Sequence, residues 1–450
     1  MLKSIIIINP LGCKKGGDRV DNYILLGLKR KEVKIMKVEE KDGIIEVELK
    51  SKKEKVRCLI CNKFTSSIHS KLKPIKSIYL DSCGKEVHLI INKRRFHCYN
   101  CNKIFTEELN LNTKDGNISN KVKIQIRKDL LDYNMTINKI AIKNHVSKYI
   151  VRKELEEATS LIPEHIKNLP SVISFDEFKA DTKEGKYAFV LNDPLHKKVL
   201  DILPERKKEY LIQYFTYCEN RYSVQYIISD MYEPYLLVQQ IMFPKAKYVV
   251  DRFHYIRYIM DAVDKIRIKL QKQYNEKSKE YKLLKNKKNV SLLRKYGNDI
   301  SWFVETQRYK NGHMVNVLPG DIIREIFKIS EELERGYQLK ELFLDIVVNH
   351  CNYDDARAAI LSWINLCKES KIEEFIEASK TIENWIDGIV NSFIDKRYTN
   401  GFTEGTNNKI KVIKRNAFGY KNFKFFRKRL LYIFNGKISG GVSNGRKNSK

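Results

Sequence analysis

The sequence contains no long apolar run. None of its hydrophobic stretches approaches the eighteen or so residues that a membrane-spanning helix needs. The opening run also lacks the length of a secretory signal, because Asn and Pro end its apolar part in M-L-K-S-I-I-I-I-N-P. From these absences we expect a soluble protein of the cytoplasm.

The cysteines lack the even number that a disulfide framework would have. The chain has nine of them and no export signal, so a fold held by disulfides is not expected. Five cysteines are scattered and are interpreted as core or surface thiols. These are Cys13, Cys83, Cys218, Cys351 and Cys367. The other four form two close pairs.

Acidic residues are too few to balance the basic ones. The formal net charge is +30, and a field of this size favours a polyanionic partner, nucleic acid first and an anionic membrane surface second. In the last fifty residues, Glu404 is the only acid against thirteen Lys and Arg. We expect this lone carboxylate to stay ionised, either by pairing with a basic side chain or by binding a metal ion.

Two C-x-x-C pairs indicate a structural zinc site. Cys58 and Cys61 lie in R-C-L-I-C-N-K, whereas Cys98 and Cys101 lie in F-H-C-Y-N-C-N-K. Each pair offers two sulfurs across one tight turn, and four thiolates suit tetrahedral Zn²⁺. The 36 residues between the pairs exceed the usual spacing and leave room for an extra hairpin. The alternatives are a redox pair or unrelated thiols. Possible substitute ligands are His69, His88 and His97.

The segments on either side of the cysteines have contrasting periods. Alternation before the first pair predicts a β-hairpin with its turn at residues 41–43. Residues 117–158 have a helical period, with Thr136 and Ser147 as N-caps. Two short helices joined by a tight turn resemble a helix-turn-helix, in which the start of the second helix faces base edges. The candidate DNA contacts are Ser147, Lys148 and Arg152. The alternative is an ordinary helical linker with solvated lysines.

Five short runs between residues 171 and 254 predict strands, because each is rich in Val, Ile, Tyr and Phe and is bounded by turn or charged residues. The first three are close enough in sequence for an antiparallel meander. A helical pattern over residues 232–243 separates the last two and allows a parallel crossover.

Three of these runs end in an aspartate, namely Asp176, Asp230 and Asp251. Acidic residues at the carboxyl ends of central strands lie where open α/β sheets place their sites. Two or three converging carboxylates would bind Mg²⁺ or Mn²⁺. For Asp230 and Asp251 the alternative is helix capping, because each directly precedes a helical pattern.

The pattern from residue 252 to about 396 is almost wholly helical, and residues 265–295 predict one long exposed helix. A further helix begins near Thr403 and places Glu404 in its first turn. Basic and aromatic residues then interleave, which is typical of a nucleic-acid surface. The alternative is a helix with an aromatic core face and a solvated basic face. The candidate DNA contacts here are Lys409, Lys411, Lys414 and Arg415.

Four segments together resemble the transposases of the ISL-three family of bacterial insertion sequences. They are S-F-D-E-F, I-S-D-M-Y-E-P-Y, V-V-D-R-F-H and E-G-T-N-N-K-I-K-V-I-K-R. The resemblance covers nearly the whole chain. It implies an α/β fold: an RNase H-like catalytic core with a large all-α insertion, preceded by a zinc-ribbon-like domain and a helix-turn-helix. It also implies a DDE triad of Asp176, Asp230 and Glu404, which would bind Mg²⁺ or Mn²⁺; Asp251 is the alternative for the middle position.

The resemblance divides the chain into six parts. These are a β-rich zinc-binding domain (1–110), a helix-turn-helix (111–165), the first part of the core (166–255), a helical insertion (256–398), the final core helices (399–435) and a disordered basic tail (436–450).

The resemblance also implies a function. We expect a nucleoid-associated transposase that binds double-stranded DNA, both element ends and target, as a homodimer and without a membrane. Two divalent cations would serve cleavage and strand transfer. The rival hypotheses are an inactive DNA-binding regulator and a metal-dependent nuclease without strand transfer.

Overall fold

The computed structural model describes residues 22–436, apart from residues 83, 110, 112–116, 311–312, 350–352, 418 and 421. The chain divides into two compact units. One comprises residues 1–162, 415–418 and 428–450, and the other comprises residues 163–414 and 419–427. The predicted disordered tail lies outside the described residues except for Gly436, as do Cys13, Cys83 and Cys351.

A four-stranded sheet forms the largest β-structure of the first unit. Strands β1 and β2 form the predicted hairpin, and both Asp42 and Gly43 adopt the positive φ that a tight hairpin turn requires. The sheet order is β1-β2-β7-β6, with β2 and β7 parallel. The hairpin of β6 and β7 comes from the interval between the cysteine pairs, so the expected extra hairpin is confirmed.

Smaller sheets and the four helices α1 to α4 complete residues 22–162 of the first unit. Strands β3 and β4 pair, and β5, β8 and β9 form a three-stranded sheet. Helices α3 and α4 begin at the predicted N-caps, because the hydroxyl oxygens of Thr136 and Ser147 accept hydrogen bonds from backbone N–H groups three residues on. The elements of this unit are α1 (Asn22–Leu25), β1 (Val33–Lys41), β2 (Ile44–Ser51), β3 (Val56–Arg57), β4 (Phe64–Thr65), β5 (Ile68–Lys71), β6 (Ile75–Ser82), β7 (Lys85–Asn92), β8 (Arg94–Cys98), β9 (Lys103–Thr106), α2 (Asn120–Asp129), α3 (Ile137–Lys143) and α4 (Lys148–Ala158).

A five-stranded sheet with the order β12-β11-β10-β13-β14 organises the second unit. The first three strands form the predicted antiparallel meander, and β13 and β14 run parallel to β10. The crossover between β13 and β14 contains helix α6, as expected. Alternate residues of β10 such as Ile173 and Phe175 enter the main apolar core. The elements are β10 (Val172–Lys179), β11 (Tyr187–Asp193), β12 (Lys198–Leu203), α5 (Lys208–Phe215), β13 (Tyr226–Ser229), α6 (Glu233–Met242) and β14 (Lys247–Val250).

The segment after β14 corrects two predictions. Residues 265–295 do not form one long helix, because Ser278 and Asn286 each cap the start of a new helix. The segment is also not all-α, because β15 and β16 form an antiparallel hairpin with β-branched residues in both strands. Its elements are α7 (Arg252–Gln271), α8 (Lys279–Lys285), α9 (Lys287–Arg294), β15 (Thr306–Lys310), β16 (His313–Val317), α10 (Pro319–Phe327), α11 (Glu331–Asn349), α12 (Tyr353–Glu369), α13 (Glu373–Asn384) and α14 (Ile386–Asn391).

Two further helices, α15 (Gly401–Asn416) and α16 (Phe423–Asn435), follow this segment. Thr403 at the start of α15 bonds to two strands of the five-stranded sheet: its hydroxyl lies 3.0 Å from Ser174 Oγ and accepts a 3.0 Å bond from Asn192 Nδ2. These contacts place the first turn of α15 against the sheet face opposite the main apolar core. No helix in the described part of the chain is long and apolar enough to cross a membrane.

Candidate functional site

The four paired cysteines converge in the first unit. Cys58 Sγ lies 3.6 Å from Cys101 Sγ, and Cys61 Sγ lies 3.5 Å from Cys98 Sγ. All four sulfurs lie within 4.8 Å of one another. Sulfurs on the corners of a tetrahedron with Zn–S bonds of about 2.3 Å would be about 3.8 Å apart. The cluster therefore fits structural zinc with all four positions filled by protein.

The two C-x-x-C knuckles share a backbone conformation at the Asn of their common C-x-x-C-N-K motif. Asn62 and Asn102, which follow the second cysteine of each pair, both have positive φ, a conformation in which Asn is enriched. A hydrogen bond from the Lys63 backbone N–H lowers the pKa of Cys61 to about 6. Burial and the neighbouring sulfurs raise the pKa of Cys101 to about 12. Four thiolates thus need a cation between them.

The three histidines considered as substitute ligands do not belong to this cluster. His69 bonds to Ser70, His88 to Glu86, and His97 to Asn102.

Strand register in the second unit brings the three aspartates to one edge of the sheet. Ser174 of β10 pairs with Ile228 of β13. Continuing this register by two residues places Asp176 level with Asp230, which directly follows the end of β13. Ser229 of β13 pairs with Val250 of β14, and Asp230 and Asp251 follow directly. Parallel strands with a matched register therefore place all three acids side by side.

Asp176 is held by two donors and repelled by a neighbour. Its Oδ1 accepts a 2.7 Å bond from the Glu177 backbone N–H, and its Oδ2 accepts a 2.8 Å bond from Asn407 Nδ2. Burial and the charge of Asp230 raise the pKa of Asp176 to about 7. A cation at this edge would relieve both penalties.

His254 connects the other two aspartates. Its Nδ1 bonds to Asp251 Oδ2 at 3.1 Å and lies 2.8 Å from Asp230 Oδ1 in an ion pair. Burial alone would lower the pKa of His254, but the two carboxylates raise it to about 10. Asp251 is only 3% exposed, and its Oδ1 accepts a 2.8 Å bond from the Asn400 backbone N–H just before α15.

The capping alternative does not explain either aspartate. Tyr232, not Asp230, occupies the N-cap of α6. Asp251 does occupy the N-cap of α7, but its side chain makes no capping hydrogen bond.

Glu404 enters the site from α15, in whose first turn it lies as predicted. It is exposed and lines a cleft of about 450 Å³ that also contains Asp176, Asp251 and the basic residue Lys411. An adjoining hollow of about 410 Å³ contains Asp230. Both are lined by Glu177, His254 and Arg257. We call the two adjoining hollows the carboxylate cleft.

The acids of the carboxylate cleft are not assembled as tightly as the cysteines. Within the described ranges, the cysteine cluster is the one group of three or more Cys, His, Asp or Glu whose ligand atoms all lie within 4.8 Å. Asp176, Asp230 and Glu404 share the cleft without meeting this distance.

The predicted DNA contacts differ in their solvent exposure. In the first unit Ser147, Lys148, Arg152 and Arg415 are exposed. In the second unit Lys409 and Lys411 are exposed, whereas Lys414 is half-buried and donates to Lys179 O and Asp181 Oδ2. The sequence argument missed Tyr149, the exposed second residue of α4.

In helix α16 two arginines bond to protein partners, unlike the solvated basic face of the alternative interpretation. Arg427 donates to both carboxylate oxygens of the fully buried Asp201 on β12. Arg429 is buried as well and donates to the backbone oxygens of Asp132 and Met135. Its aromatic residues Phe423 and Phe426 are buried, so the predicted aromatic core face is present.

Functional residues that sequence reasoning missed lie beside the acids. His254 lies in the V-V-D-R-F-H segment and Asn407 lies in E-G-T-N-N. In both segments, the acidic residue alone was predicted to belong to the cleft. The spacing of Asn407 three residues after Glu404 was a usable signal, because residues i and i+3 share a helix face.

Comparisons with known proteins agree with this geometry. A family model described as transposase matches residues 173–430, more than half of the chain. A second model, described as zinc-finger of transposase IS204/IS1001/IS1096/IS1165, matches residues 54–101. The transposase for insertion sequence element IS1001 of Bordetella parapertussis is 24% identical over 267 residues, which cover 59% of this chain and 61% of that protein.

A second relative has a different name. A Lactococcus lactis subsp. lactis protein named ATP-dependent protease is 30% identical over 125 residues, which cover 28% of this chain and 38% of that protein. The chain thus spans less than two thirds of either relative, and so short a match to the second carries no argument about activity. The transposase model spans the five strands, the helical segment and most of α15 and α16. The chain belongs to the ISL-three family of transposases.

Proposed function

We propose that the protein cleaves DNA at the ends of an insertion sequence and joins those ends to target DNA, using divalent cations bound by Asp176, Asp230 and Glu404. The observation that carries this proposal is the strand register that sets Asp176 level with Asp230, together with the tie between that edge and the helix bearing Glu404. The strand order, three antiparallel strands followed by two parallel ones, supports an RNase H-like core.

The chemistry of the donors supports a hard cation. Carboxylate oxygens are the ligands that Mg²⁺ and Mn²⁺ prefer. The raised pKa of Asp176 reflects burial beside a second negative charge, which is a cost that a bound cation offsets. Glu404 reaches the same cleft from a helix whose position is fixed by Thr403.

The hydrogen bonds favour Asp230 over Asp251 as the middle ligand. Both oxygens of Asp251 already accept bonds from protein donors, one from the Asn400 N–H and one from His254. The Asp230 side chain is 27% exposed, against 5% for Asp251, and among the described residues its one ion pair is with His254. We assign Asp251 to positioning His254 and the start of α15.

The roles in the reaction follow from charge. Divalent cations would activate the attacking oxygen and stabilise the leaving oxygen of a phosphodiester. The three acids supply the negative charge that holds the cations at the edge of the sheet. Lys411 and Arg257, which line the same cleft, supply positive charge toward the phosphates of a bound strand.

DNA recognition is assigned to the first unit. Helices α3 and α4 with the tight turn between them support a helix-turn-helix, with the exposed Lys148 and Arg152 on the second helix as DNA contacts. A homodimer that pairs two element ends is part of this proposal. Binding should weaken steeply with salt, because Lys and Arg contacts to phosphates release counterions.

The test is a cleavage and joining assay. Purified protein is incubated with Mg²⁺ or Mn²⁺ and labelled DNA that carries the repeats flanking its own gene. We expect metal-dependent breaks at the repeat ends and joined products. Asp176→Asn, Asp230→Asn and Glu404→Gln should each lose both products while binding the repeats normally. The exposed acid Asp181 supplies the matched control, Asp181→Asn, which should remain active.

Other outcomes would reassign the protein. Tight binding of the repeats without strand breakage in the wild type would favour a DNA-binding regulator. Breaks without joined products would favour a nuclease. Activity retained in Asp230→Asn but lost in Asp251→Asn would move the middle ligand to Asp251.

A further inference from the structure

Asn407 is the most enclosed polar side chain that α15 presents to the carboxylate cleft. It lies one turn beyond Glu404 and is only 7% exposed. Its Nδ2 donates to Asp176 Oδ2 at 2.8 Å and to Glu177 O at 3.3 Å. Its Oδ1 is buried and has no hydrogen-bond partner among the described residues. A buried amide oxygen without a donor is costly unless a water or a cation satisfies it.

The position of Asn407 on the helix couples it to Glu404. Residues three apart share a helix face, so one rigid helix presents Glu404 and Asn407 to the same cleft. The bonds of Thr403 to Ser174 and Asn192 fix the rotation and height of that helix against the sheet. The bond from Asn407 to Asp176 therefore connects the helix that carries Glu404 to the strand that carries Asp176.

We propose that Asn407 is a positioning residue of the cation site, which holds the Asp176 carboxylate in the orientation that binds a divalent cation. The inference rests on the proposed function, because it assumes that Asp176 is a ligand. The Glu177 N–H and the Asn407 amide each engage one oxygen of Asp176. Each carboxylate oxygen has a second lone pair, so both can still face a cation.

An amide suits this position better than a charged residue. Burial and the charges of Asp230 and Glu177 already raise the pKa of Asp176, so a further acid would add to the repulsion. A lysine would neutralise the acid and compete with the cation. Asn donates a hydrogen bond without adding charge, and its other oxygen is able to accept a bond from a cation-bound water.

The test measures Mn²⁺ binding to the full-length, zinc-loaded protein without DNA. Free Mn²⁺ is quantified by electron paramagnetic resonance, so the readout does not depend on activity. Asn407→Ala should weaken Mn²⁺ binding about tenfold, which is the usual effect of losing a residue that orients a metal ligand. The neighbouring Asn408 is exposed and provides the control: Asn408→Ala should bind Mn²⁺ like the wild type.

Two further variants distinguish an error in the proposed metal site from an error in the proposed role of Asn407. Asn407→Ser keeps a short polar group and should give an intermediate affinity, which covers the case in which Asn407→Ala folds poorly. Asp176→Asn should lose Mn²⁺ binding. If it does not, the proposed metal site itself is wrong. If Asp176→Asn loses binding while both Asn407 variants bind like the wild type, only the role of Asn407 is overturned.

Discussion

The cysteine cluster and the carboxylate cleft are both candidate metal sites, but their ligands are assembled in opposite ways. Two tight knuckles bring four sulfurs within 4.8 Å of one another. The acids of the cleft come from two strands and a distant helix and remain further apart. Asp176 is held by Asn407, and Asp230 lies beside His254. A closed set of ligands suits a structural ion, and an open set leaves room for substrate.

The two sites differ in how far the protein alone compensates the negative charge of the ligands. In the cysteine cluster a backbone N–H lowers the pKa of Cys61, and burial raises the pKa of Cys101. In the cleft, protein donors compensate the acids only in part, since Asp176 has a raised pKa and Asp230 shares the single His254 Nδ1 with Asp251. The proposed cation would therefore offset an electrostatic cost in the cleft, whereas zinc would complete the fold around the four cysteines.

The largest effect is expected from breaking the cysteine cluster. Cys98→Ser should abolish zinc binding and unfold β8, β9 and their neighbours, because binding of structural zinc contributes about 10–16 kcal/mol to the folding of small zinc domains. Zinc content and limited proteolysis of residues 54–106 measure this. Cys218→Ser changes a buried thiol of the second unit and should leave the zinc content unchanged. Full zinc content in Cys98→Ser would contradict the four-ligand site.

Asp201 contrasts with the acids of the cleft, because protein donors satisfy both of its carboxylate oxygens. Asp201 is fully buried and accepts bonds from Tyr214, Arg427 and the Ile202 N–H. Asp201→Ala would leave the Arg427 charge buried and should cost about 3–5 kcal/mol. The melting temperature should fall by roughly 10 °C. The control Glu164→Ala removes an exposed pair with Lys424 and should leave the melting temperature almost unchanged.

Asp176 should behave in the opposite way, since its charge destabilises the metal-free fold. Its pKa is about 7 in the folded protein and about 3.9 when unfolded. The folded state therefore binds the extra proton between these values, and stability falls as pH rises from about 4 to 7. Asp176→Asn cannot ionise and should be more stable than the wild type above pH 7, by no more than about 4 kcal/mol.

Thermal melts at pH 4.5 and pH 8 without added Mg²⁺ measure this difference. The gain should be small at the lower pH and largest at the higher one. Adding Mg²⁺ at pH 8 should stabilise the wild type and have little effect on the variant, because the cation binds the folded wild type. A variant less stable than the wild type at pH 8 would contradict this electrostatic cost.

The sequence predicted most of what local patterns encode. Alternation located the hairpin of β1 and β2 and the five strands, and spacing indicated the meander and the crossover. The N-caps at Thr136 and Ser147 were predicted from residue type. The cysteine cluster was predicted as well, because each knuckle is a short turn with its own motif. Each of these features follows from a local sequence pattern, either within one turn or along one regular element.

The rest depended on contacts between distant residues. The Lys-rich stretch at 265–295 hid two internal caps, Ser278 and Asn286, whose polar side chains do not interrupt a helical pattern. The buried pair of Arg427 with Asp201 was not predicted, because the two residues are more than two hundred positions apart in the sequence. Strand register, which no residue type encodes alone, decided that Asp176 lies level with Asp230.

The smallest effect is expected from a substitution of Thr403, at the start of α15. Thr403→Val keeps the shape of the side chain but removes the hydroxyl that bonds to Ser174 and Asn192. Leaving these buried partners unsatisfied should cost about 1–3 kcal/mol. Because this hydroxyl fixes the helix that carries Glu404 and Asn407, the Mg²⁺ concentration needed for half-maximal cleavage should also rise.

Thr406 supplies the matched control on the same helix. Its side chain is also buried, but its hydroxyl donates to Phe402 O within α15 and touches neither strand. Thr406→Val should therefore shift the Mg²⁺ requirement much less than Thr403→Val at a similar cost in stability. Equal shifts in the two variants would mean that the cleft responds to the general stability of α15. A shift confined to Thr403→Val would mean that the anchor on the sheet sets the distance between Glu404 and Asp176.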